Sequence, residues 1–83
     1  MTNNAANYDE RPLSELVAAA AAAHRALGLR YRPVVMHGEA AAFDVAAKIT
    51  ASAVMLGEGA FWVVCLADAQ RLERAGYEWA PRA

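Results

Sequence analysis

Eighty-three residues with a net charge of −1 and a pI near 6.0 describe one small domain without the basic footprint of a nucleic-acid binder. The one cysteine excludes an internal disulfide and a multi-cysteine zinc site. Twenty-two alanines swell the hydrophobic fraction of 58%, so burial energy falls on 26 larger apolar side chains and a thin core is expected.

The opening MTNNAANYDE has no basic and apolar leader pattern, and residues 1–8 read as a loose polar tail before a single domain over 9–83. A first helix follows, from Asp9 or Pro12 to Leu27. Asp9 can cap it, Pro12 suits its first turn and Gly28 suits its end. Leu13, Leu16, Val17, Ala20, His24 and Leu27 form its apolar stripe, and the run Ala18–Ala23 makes it slim. LRYRPVVMHG then reads as a strand over 29–36. Pro33 lacks an amide donor, which places that strand at a sheet edge.

Gly38 opens a second helix, expected to run from Glu39 to Leu56 and to stop at Gly57. Two adjacent apolar stripes along it suggest cover on more than one side. AFWVVCL over 60–66 is a strand, with Phe61, Val63 and Cys65 on one face and Trp62, Val64 and Leu66 on the other. Asp68 is placed to cap a short third helix through Ala75, ended by Gly76, and YEWA can add a brief final strand. The expected fold is therefore α+β, or small α/β: helix-strand-helix-strand-helix around a sheet of two or three strands. A long helix between two strands has the length of a crossover, which favours a parallel pair; an antiparallel pair also fits.

Three groups of residues could carry chemistry. Cys65, flanked by Val64 and Leu66 on a strand, reads as a buried small hydrophobe, although a helix begins just after it. In a parallel sheet His37, with Glu39 beside it, and Asp68 would meet beyond the strand ends, where ligand sites of α/β folds gather. Those three residues are the basis of an alternative reading as a small enzyme or ligand-binding domain. HGEAAA has one glycine, too few for a phosphate loop. His24 reads as structural, Ser14 and Ser52 have no base at a recognisable spacing, no metal-ligand spacing occurs, and no cofactor is expected. Arg25, Arg30 and Arg32 around Tyr31 make a small basic-aromatic cluster, too few cations in an acidic chain for direct nucleic-acid binding.

The two-faced strand points elsewhere. Three helices have difficulty covering both faces of so small a sheet, and Trp62, Arg71, Arg74, Tyr77 and Trp79 crowd the C-terminal third. Trp, Tyr and Arg are the residues that most often anchor protein interfaces. Charge is segregated too: residues 33–70 hold four acids against Lys48 alone, while both flanks are net basic.

The stretch GAFWVVCLADAQRLERAGYEWA resembles the tail of small phage and prophage proteins: an aromatic-Val-Val strand, a short helix Asp68-Ala69-Gln70-Arg71-Leu72, then Gly76-Tyr77-Glu78. Seven arginines to one lysine amid so much alanine fit a GC-rich bacterial or phage coding source. Proteins of that setting and size include anti-CRISPRs, which bind and block host defence complexes; no site residue carries over from the group. The reading taken forward is a non-enzymatic, cytoplasmic protein-binding module. Its expected partner is a host defence complex, with a homodimer as a second mode of association and no membrane attachment.

Overall fold

The computed structural model describes residues 11–80, so the expected tail over 1–8 and the capping Asp9 lie outside the described residues. The chain forms α1 (Leu13–Leu27), β1 (Val34–Met36), α2 (Glu39–Ala47), β2 (Ser52–Gly57), β3 (Ala60–Cys65), α3 (Leu66–Arg74) and β4 (Glu78–Trp79). The four strands make one sheet in the order β1-β3-β2-β4, and every pairing is antiparallel. This is an α+β fold of three helices on an antiparallel sheet.

Pro12 precedes α1, where a missing N–H costs nothing, and Gly28 ends it in the left-handed region at φ 66°, donating its N–H to the His24 carbonyl. Of the expected stripe only Leu16 and Ala20 are fully buried, while Leu13 and Val17 are exposed. β1 is shorter than expected and does lie at a sheet edge, as Pro33 requires.

The second helix is the main correction. It stops at Ala47, and the residues expected to continue it to Leu56 instead turn and form β2. Ile49 and Thr50 are β-branched, Ala51 takes a positive φ of 57°, and the Ser52 hydroxyl donates to the carbonyls of Ala46 and Ile49 at 2.8 Å. From Ser52 onward the apolar residues alternate: Ala53 and Met55 face one cluster, Val54 the other. The N-terminal parts of the two expected stripes are helical, but Ala53, Val54 and Leu56 at their C-terminal ends belong to β2, where a period of two sorts them differently. β2 then returns as β3 through Glu58 and Gly59, whose φ values of 55° and 71° make a type I′ hairpin turn. This inserted strand replaces the crossover, so the sheet has four strands and the parallel arrangement does not form.

Both faces of the sheet are covered. α1 and α3 pack Leu16, Ala20, Ala69 and Leu72 against Met55, Trp62 and Val64. On the opposite face α2 packs Ala42 and Ala46 against Val54 and Val63, with Met36, Phe43 and Phe61 partly buried around them. Alanine at these contacts lets the helices lie close to the strands. No helix among the described residues is long and apolar enough to cross a membrane.

Candidate functional site

The C-terminal third is positioned by the end of α3. Gly76, at φ 105°, donates its N–H to the Glu73 carbonyl, and the Tyr77 N–H reaches back to the Leu72 carbonyl at 3.0 Å. This is a Schellman motif, available because glycine tolerates the left-handed conformation at that step. It turns the chain back along the sheet, where Glu78 and Trp79 pair with Leu56 and Met55. β4 thereby becomes the outer edge of the sheet opposite β1, and α3 packs beside it.

The five residues singled out as interface anchors divide. Trp62 is fully buried, its indole N–H donates to the Gly57 carbonyl at 2.9 Å, and its ring meets Tyr77 edge-on at 5.0 Å. It is a core residue, because α1 and α3 cover its face of the sheet. Tyr77 is half-buried over Trp62. A Cβ on Gly57 would run into the Tyr77 ring, so the glycine makes room for this stack. Arg71 approaches Asp68 at 3.8 Å. Arg74 is exposed and forms no ion pair among the described residues, and Trp79 keeps 43% of its surface open. Of the five, Trp79, Arg71 and Arg74 therefore reach the surface, Tyr77 does so in part, and Trp62 does not. Beside Tyr77 a shallow groove of about 360 Å³ runs along Ala19, Ala22, Ala23 and Ala26 of α1 toward Glu58.

The phenol of Tyr77 is held above its ordinary pKa, first by burial and second by the carboxylate of Glu58. Folding thus raises its proton affinity. The stability tied to it is complete below about pH 10, where the unfolded tyrosine is still neutral, and is lost as pH rises through the higher folded value. Tyr77→Phe is expected to flatten the fall of melting temperature above about pH 10. Parallel alkaline slopes for variant and wild type would contradict that assignment.

His37 and Asp68 do not meet. With β1 and β3 antiparallel, His37 follows Met36 at the end of the sheet near Phe61, whereas Asp68 follows the other end of β3. The two are also engaged by main chain. His37 Nε2 lies 2.8 Å from the Arg11 carbonyl, which can only accept, so Nε2 carries the proton. Asp68 is fully buried, and its carboxylate accepts the N–H of Arg30 at 2.8 and 3.0 Å and that of Tyr31 at 3.1 Å. It does not cap α3, which begins at Leu66 behind Cys65. Glu39 sits exposed in the first turn of α2. Cys65 is partly exposed rather than buried, because it ends β3 at the open rim of the sheet. Asp68 as an acceptor for a distant loop had no local sequence signal: its partners lie 37 and 38 residues away.

No protein-family model matches the chain, and no significant match appears among curated proteins or solved structures.

Proposed function

We propose that the chain is a non-enzymatic protein-binding module that docks through the rim formed by α3 and β4. The observation that carries this reading is Trp79, a large aromatic left 43% exposed on an outer strand. The cations Arg71 and Arg74 stand on the helix packed beside it. Tryptophan and arginine supply most interface hot spots, since one brings a large rigid area and the other directional charge. The occupant that fits is a protein surface presenting an apolar pocket for Trp79 and a carboxylate for Arg74. In the phage setting implied by the resemblance, that surface belongs to a bacterial defence complex, which the bound module occludes. The rival use of His37, Glu39 and Asp68 as a catalytic set loses support from their separation.

The test is phage plating on a bacterial host whose CRISPR interference targets the phage, with and without the expressed protein. Wild type is expected to restore plating, and Trp79→Ala to abolish the effect while keeping its circular dichroism spectrum. Truncating a true anchor should weaken binding by about 2 kcal/mol or more, roughly thirtyfold. No restoration of plating by wild type would remove the defence-complex assignment. A folded Trp79→Ala with full effect would remove the docking rim.

A further inference from the structure

At the opposite edge of the sheet from β4, the loop entering β1, the turn before β2 and the end of β3 enclose a cavity of about 360 Å³. Val34, Ile49 and Val63 supply apolar walls, and Arg32, Thr50 and Cys65 stand with them. Its shape is held from behind. Asp68 ties down the amides of Arg30 and Tyr31, and the Ser52 hydroxyl bonds to the carbonyls of Ala46 at the end of α2 and Ile49 in the turn. The volume lies at the lower end of the roughly 300–1,000 Å³ of small-molecule sites, room for one short chain or ring.

The charges select the ligand. None of the residues lining this cavity is acidic, and Arg32 forms no ion pair among the described residues. The Thr50 hydroxyl is also without a hydrogen bond there. A guanidinium beside exposed aliphatic carbon complements a molecule with one anionic head and a short apolar body. Val34 and Ile49, both exposed in spite of their size, are where that body would lie. We propose that this cavity binds a small amphipathic carboxylate, its apolar chain against Val34, Ile49 and Val63 and its carboxylate on Arg32. The site is independent of the α3–β4 rim and stands or falls without it.

Cys65 provides the readout, being the chain's only cysteine, partly exposed, and part of the cavity wall. The full chain is alkylated with iodoacetamide while octanoate, or the uncharged 1-octanol, is titrated in. Octanoate is expected to slow alkylation saturably, and 1-octanol to require a higher concentration. Arg32→Gln should raise the half-protective octanoate concentration about tenfold, the scale of one charge-assisted contact, and bring the two ligands level. Ile49→Ala, on the apolar wall, should weaken protection by both. Absence of protection by octanoate at millimolar concentration overturns the proposal, as does equal protection by 1-octanol in the wild type. Unchanged octanoate protection in a folded Arg32→Gln overturns it too.

Discussion

Trp62→Ala is expected to lower the free energy of unfolding by about 3–5 kcal/mol, the range for truncating a large buried aromatic. Its side chain is completely buried between helix residues Leu16, Ala20 and Leu72 and its strand neighbours. Truncation would leave a cavity that the surrounding alanines are too short to fill. It would also remove the indole donor from the Gly57 carbonyl and the edge-on contact with Tyr77. A domain of this size holds about 4–12 kcal/mol in all, at 0.05–0.15 kcal/mol per residue. The variant should therefore be near the edge of folding at 37 °C. Urea titration at 25 °C measures the loss, and a change below about 1 kcal/mol would show that Trp62 is not the centre of the core. Loss of partner binding in this variant would report unfolding, which is why Trp79 is the residue to truncate at the interface.

Asp68→Ala should cost about 3 kcal/mol, because hydrogen bonds to a charged acceptor are each worth about 1.5–3 kcal/mol and two backbone amides lose theirs. The carboxylate is fully buried, and it joins α3 to the segment leading into β1. Asp68→Asn should fall between, since one oxygen still accepts while the amide group confronts an N–H. Arg71→Ala should cost about 1 kcal/mol or less, because that arginine is half-exposed and its attraction is screened by water. Urea titration of the three variants orders them. An Asp68→Ala chain as stable as Arg71→Ala would mean that the amides of Arg30 and Tyr31 find water as readily as the carboxylate.

Much of the fold was legible because local signals agreed with the tertiary structure. Pro12 and Gly28 bracket α1, Pro33 assigns β1 to an edge, and Gly76 marks the turn that sends Tyr77 back onto α3. β2 was hidden because no glycine or proline stands between α2 and Ala53, and Ala53, Val54 and Leu56 fit a helical period as well as a strand. The useful signals there were Ile49-Thr50 and the two-residue Glu58-Gly59 turn, which demands a strand on both sides. Losing β2 also cost the direction of the sheet, and with it the supposed meeting of His37 and Asp68. The candidate site was legible by composition more than by placement. Chain position put Trp62 and Trp79 in one group, but strand pairing separates them: Trp62 lies on a central strand beneath two helices and Trp79 on an outer one.

The docking rim is tested most directly by tagged wild type, Trp79→Ala and Arg74→Gln, each with a native circular dichroism spectrum, titrated against a purified CRISPR interference complex by calorimetry. Binding by wild type that falls about thirtyfold or more in Trp79→Ala, and by a smaller factor in Arg74→Gln, is the predicted result. Wild-type affinity in both folded variants would place the contact elsewhere on the molecule and contradict the proposal.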